Sequence, residues 1–294
     1  MSVSRRLFLQ TSAGALAASA LAAETPKPMV GSQLYGWGQY YQRDGKKLED
    51  HLDEVFSALR DAGYDYAEGS LSGKPGANFK LGEQMKDKGL RPVSLYTGGA
   101  FHEAAKAEET VKSLMTAAKE AKEAGFRIIN CNPDPIGRDK SEEELAVQVR
   151  WLQKFGEGLA ELGMKLGVHN HTPEMRNEAK EFHANLRRTK PEAVGFCYDV
   201  HWVFRGGVMP TDALAEYGPR IVSWHLRQSR EKIWWEDLDT GDVEYQFIAD
   251  YANAHRFAPF YTVELAIENG TKITRSVVEN HARSREFVRR IFAA

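Results

Sequence analysis

Apolar and polar positions along this chain follow two rhythms that take turns. Short apolar runs at 29–35, 64–68, 91–96 and 126–131 read as buried strands, each leading into a stretch of different spacing. Leu48, Leu52, Val55, Phe56 and Leu59 recur at helical intervals, which predicts a helix over 48–62 closed by Gly63. A second helix ends near Gly89. A long Ala/Lys/Glu-rich one covers 104–124 before Gly125, and another covers 142–162 before Gly163. Four later runs, at 166–174, 194–201, 221–227 and 260–264, alternate with helices around 179–188, 210–217, 245–255 and 272–291. Eight strands, each with a following helix, in roughly 265 residues suit a single-domain α/β fold, a (β/α)8 TIM barrel over 29–294. A doubly wound sheet shares the alternation, but no Gly-rich phosphate-binding turn follows the first strand.

The four late runs have a second property: each ends in residue types that ligate metals. They finish as His169-Asn-His171 with Glu174 beyond, Asp199-Val-His201, His225-Leu-Arg227 and Glu264. In a parallel barrel such strand ends converge at one mouth. Asp199 and His201, two apart on an extended strand, are expected to share a face, and so are His225 and Arg227. A carboxylate closing the apolar run before Glu264 needs a cation or donors to be tolerated there. Around 169–174 the ligand is open among His169, His171 and Glu174. Mixed oxygen and nitrogen donors suit one divalent ion, Mn²⁺ best, with Mg²⁺ or Zn²⁺ as alternatives. Glu68 also ends a strand, where a substrate contact is expected in place of metal ligation. Asp239 and Asp242 are expected to shape a loop. Trp202, Trp224, Trp234, Trp235, Tyr35 and Tyr96 are candidates to stack on a substrate ring, Trp234 and Trp235 foremost.

Composition narrows the partners. The 39 basic and 41 acidic residues leave a net charge of -2, evenly mixed, which argues against nucleic acid. No basic cluster near the late strand ends supports a phosphorylated substrate. Cys131 and Cys197 sit in apolar runs and read as buried free thiols. At the amino terminus, Arg5-Arg6 precedes Leu-Phe-Leu and an alanine-rich stretch ending near Ala22. That is the pattern of a twin-arginine export signal over 1–23, which implies a periplasmic or otherwise exported protein. The apolar stretch is too short to span a membrane, so no membrane is expected as partner of the mature form. Whether the barrel works alone or as a homo-oligomer stays open.

From about Met29 to the carboxyl end the chain resembles the xylose-isomerase-like superfamily of sugar isomerases and epimerases, commonly named sugar phosphate isomerase/epimerase. The resemblance rests on Gly-Ser-Gln-Leu-Tyr at 31–35, the His-Asn-His turn, Tyr-Asp-Val-His at 198–201, Trp-His-Leu-Arg at 224–227, residues 238–245 and the terminal Val-Glu. It implies a (β/α)8 barrel with one divalent metal, often manganese, held by a Glu, Asp, His, Glu set. By position these become Glu174, Asp199, His225 and Glu264, with His169 as the alternative first ligand, because His stands where many members have Glu. It further implies a small carbohydrate substrate and proton transfer beside a carbonyl through a metal-stabilised enediolate. Glu174 and Glu264 would then flank the reacting carbon, His201 and His171 would act as outer donors or proton shuttles, and Arg227 and Trp234 would contact the sugar. A lyase or dehydratase on a keto-sugar, keto-glycoside or keto-inositol is the nearest competitor. A DNA-repair endonuclease is disfavoured by the neutral charge, and a non-catalytic sugar-binding barrel is a further alternative.

Overall fold

The computed structural model describes residues 27–292, so the export segment expected at 1–23 lies outside the described residues. Among these, no helix is long and apolar enough to cross a membrane. The strands in chain order are β1 (Met29–Gln33), β2 (Tyr66–Ser70), β3 (Ser94–Gly99), β4 (Ile128–Pro133), β5 (Lys165–Val168), β6 (Val194–Asp199), β7 (Ile221–Leu226), β8 (Ser229–Arg230), β9 (Ile233–Trp234) and β10 (Phe260–Val263). All but β8 and β9 pair in parallel, and β1 bonds both β2 and β10, which closes an eight-stranded TIM barrel. β8 and β9 form a small antiparallel hairpin beside the mouth. Every residue of β4 and β6 is buried, as expected where helices cover a sheet whose other face fills the barrel.

The helices are α1 (Leu34–Arg43), α2 (Leu52–Asp61), α3 (Ala77–Asp87), α4 (Ala104–Ala124), α5 (Glu142–Glu161), α6 (Arg176–Arg187), α7 (Val200–Arg205), α8 (Pro210–Tyr217), α9 (Tyr245–His255) and α10 (Val277–Phe292). Local chemistry accounts for their limits. Ser141 and Glu144 form a reciprocal capping box at the start of α5, and Gly125 adopts φ 114° to close α4.

Three elements depart from the periodicity. The first strand stops at Gln33, whose side chain accepts the Tyr35 amide, and α1 starts at once. The sixth strand stops at Asp199 because its Oδ1 accepts the Trp202 amide at 2.7 Å and caps α7. His201 is therefore helical, and the same-face pairing with Asp199 expected from strand alternation does not hold. The last helix begins at Val277, five residues after the expected start.

Two consequences are measurable. Gly156 of α5 lies so near the barrel that a Cβ would stand 2.1 Å from the Ala193 carbonyl oxygen. Gly156→Ala should destabilise by about 1–3 kcal/mol, the usual range for overpacking, read as a lower urea midpoint at unchanged slope. His281 stacks on Trp37 with ring centroids 4.4 Å apart, and its buried Nε2 has no partner. Burial pushes its pKa down to about 4 from the ordinary 6.5. The unfolded chain thus binds a proton before the folded one does. Stability from this site is complete above pH 6.5 and falls as pH drops towards 4, by roughly 3 kcal/mol. Urea midpoints across that window should fall less in His281→Phe than in the parent; equal slopes would refute the assignment.

Candidate metal centre

Strand register brings four side chains from distant parts of the chain to one point. His169 follows β5, Asp199 ends β6, His225 lies near the end of β7, and Glu264 follows β10. Asp199 is register partner of His225, which is register partner of Thr262. One ligand atom from each of the four falls within 4.8 Å of the others, and all four side chains are buried.

The side chains of this group lie in close contact with one another. His169 Nε2 lies 3.3 Å from Asp199 Oδ2, and His225 Nδ1 lies 2.8 Å from Glu264 Oε2 without hydrogen-bond alignment. Burial alone would raise both carboxyl groups. For Asp199 the Arg227 guanidinium and His169 outweigh it, and for Glu264 Arg227 and His225 do so. Both are held below the ordinary carboxylate range, Glu264 well below. Two ionised carboxylates and two imidazole nitrogens within such a span fit a divalent ion.

A polar layer beneath holds His225 of this group. Glu68, fully buried in the middle of β2, accepts Ser94 Oγ at 2.6 Å and Asn130 Nδ2 at 2.7 Å. Its other oxygen lies 2.8 Å from His225 Nε2. With Nε2 donating to Glu68, Nδ1 would be available to a divalent ion held by the group, as in carboxylate–histidine–metal sites. Glu68 also lines the cleft above, where a substrate contact was expected, and its carboxylate is engaged by these protein groups. The signal was present, since Glu68 closes an apolar run as Glu264 does.

Above the group opens a cleft of about 1050 Å³ lined by His169, His171, Tyr96, Trp202, His225, Arg227, Trp234 and Glu264. Arg227 donates to Glu264 Oε1 at 2.7 Å and Asp199 Oδ2 at 3.3 Å, with its guanidinium 4.4 Å over the Trp234 ring. Tyr96 presents a buried hydroxyl without a protein partner. Burial pushes the His171 and His201 imidazoles down to about 3, so both are neutral near pH 7.

Glu174 is placed elsewhere. It is buried outside the cleft lining and outside the four-residue group, with Oε2 accepting the His171 amide at 2.7 Å and Oε1 accepting Asn132 Nδ2 at 3.3 Å. Burial raises it to about 7. In this geometry it braces the turn that presents His169 and His171. His201 sits behind Trp234 and does not line the cleft. Trp224 is buried, with its indole N–H on the Ala258 carbonyl at 2.7 Å, and Trp235 stacks under Arg230. Asp242 ties the hairpin turn through Ser229 and the Glu231 and Lys232 amides. Cys131 and Cys197 are free and buried.

A family model described as xylose isomerase-like TIM barrel matches residues 56–291. The chain belongs to this family. Among curated proteins it is similar to an inosose dehydratase of Geobacillus kaustophilus (strain HTA426), 24% identical over 223 residues, 71% of this chain and 69% of the relative. Among solved structures it resembles a sugar phosphate isomerase/epimerase from Parabacteroides distasonis ATCC 8503 (TM-score 0.73, 22% identity, 93% of this chain and 98% of that one). It also resembles an L-ribulose 3-epimerase (TM-score 0.72, 16% identity, 91% and 95%). At these identities the structural likeness speaks for the fold.

Proposed function

We propose that the protein is a divalent-metal-dependent enzyme that moves a proton beside the carbonyl of a small carbohydrate, as an isomerase or epimerase. The observation that carries this reading is the group His169, Asp199, His225 and Glu264 at the floor of a cleft, where Glu264 is both a ligand candidate and open to substrate. When bound, a divalent ion, Mn²⁺ for preference, supplies Lewis-acid polarisation of a carbonyl and its neighbouring hydroxyl. The chain supplies the rest. Glu264, held ionised by Arg227 and His225, accepts the proton from the carbon beside the carbonyl. Arg227 donates to the oxygen on which negative charge grows, while Trp234 and Trp202 fix the guanidinium plane. Tyr96 Oη and the neutral His171 are free to hydrogen-bond the substrate. The names of the structural neighbours agree with this chemistry.

A second reading, loss of a substituent one carbon further on, is favoured by the position of Glu174. Epimerisation by two carboxylates needs one on each face of the carbon, and Glu174 does not line the cleft. Elimination needs only one carboxylate: Glu264 takes the proton beside the carbonyl and, as the carboxylic acid, gives it to the departing hydroxyl, which leaves as water, in line with the name of the dehydratase relative. Both readings share the first proton transfer, and incubation of the Mn²⁺-loaded protein with ketoses in D₂O tests it. Deuterium should enter at the carbon beside the carbonyl, with mass conserved for isomerisation and a group lost for elimination. Protein that retains no divalent ion and exchanges no ketose proton would refute both.

We also propose export through residues 1–23, on the strength of the paired arginines; cell fractionation after Arg5→Lys with Arg6→Lys tests it.

A further inference from the structure

The cleft above the metal group continues far beyond it. It runs from His225 and Glu264 out to α1 and the 3₁₀ turn Leu48–His51, about 1050 Å³ in all. Pockets of about 300–1,000 Å³ take drug-sized ligands, and a free hexose is much smaller than these. One ring against Trp202 and Trp234 uses only the inner part.

The outer part has its own chemistry. Tyr35, Gly38, Gln42 and Lys46 line it at spacings of three and four, which places them along one side of α1 and the turn behind it. Gln39 on the same side is committed to holding α1: it accepts the Ile267 amide and donates to the Ile267 carbonyl, both at 2.8 Å. Lys47 and Glu49 also line the cleft. Leu34, Leu48, Leu52 and Leu81 interleave with these polar groups. Amide, ammonium and carboxylate groups set among leucines and an exposed tyrosine match a glycosyl unit, whose hydroxyls meet the former and whose C–H face meets the latter.

We propose that the substrate is a ketose carrying a glycosyl substituent, with the second ring seated in this outer subsite. The proposal rests on the reading that the inner end of the cleft takes the ketose carbonyl.

The test uses Mn²⁺-loaded protein and four probes: D-fructose, lactulose, isomaltulose and fructose 6-phosphate. Dissociation constants come from calorimetry, and deuterium exchange in D₂O reports turnover. Lactulose or isomaltulose should bind about tenfold or more tighter than fructose. In Gln42→Ala combined with Lys47→Ala, the ratio of disaccharide to fructose affinity should collapse towards one. Fructose that exchanges and binds as tightly as both disaccharides overturns the outer subsite alone. A gain confined to fructose 6-phosphate overturns it in favour of an anion site built on Lys46 and Lys47. No binding and no exchange with any probe overturns it together with the ketose reading of the inner end.

Discussion

Glu264→Gln should lower kcat by about 10³-fold or more, the largest single loss expected from this chain. The substitution removes a proton acceptor, a role worth about 10²–10⁴-fold, and one of the two charges that hold the ion. The amide is nearly the same size, and Arg227 keeps an oxygen to donate to, so the barrel should stay folded. Metal content separates the two losses: a variant that retains its ion but not its turnover has lost the base. Glu174→Gln is the contrast. Its carboxyl is braced on the His171 amide and Asn132 outside the cleft, so a neutral isostere should change kcat by only a few fold. A kcat of Glu264→Gln within tenfold of the parent, or equal losses in the two variants, would sink the assignment.

Glu68→Ala should weaken Mn²⁺ binding by about 10–100-fold, although Glu68 is no member of the four-residue group. Partners behind a ligating histidine have effects of that order. The truncation strands three buried donors, Ser94 Oγ, Asn130 Nδ2 and His225 Nε2, at about 1–3 kcal/mol for each left unsatisfied. His225 is then free to turn or to change which nitrogen carries its proton. Glu68→Gln keeps one acceptor for His225 and should lie between the alanine variant and the parent. Calorimetric titration of metal into the folded apo-proteins gives the numbers. An unchanged dissociation constant in Glu68→Ala would mean that His225 is oriented by packing alone.

Much of the barrel was legible because its signals are local. The strand runs, the helix from Glu142 and the stop at Gly125 are each settled by neighbours in sequence, and all appear near the expected places. The misses lie where a side chain overrides a run. Asp199 reads as one residue of an extended strand through His201, yet its carboxylate caps α7 and turns the chain. Likewise α1 carries Tyr35, Gly36, Trp37 and Gly38 in its first turns, a stretch whose glycines weaken the helical signal, so the wall of the outer cleft went unread.

The sequence by itself determined the repeating strand–helix order, the burial of the late strands and the His, Asp and Glu residues at their ends. Alternating periodicity and terminal polar residues are properties of short windows. Tertiary structure decided that His169, and not Glu174, joins Asp199, His225 and Glu264, and that Glu68 stands behind them. Those choices depend on the register between strands and on which way a turn folds back. A few ångströms there decide whether a side chain joins the group or braces a turn, and no spacing along the chain encodes them.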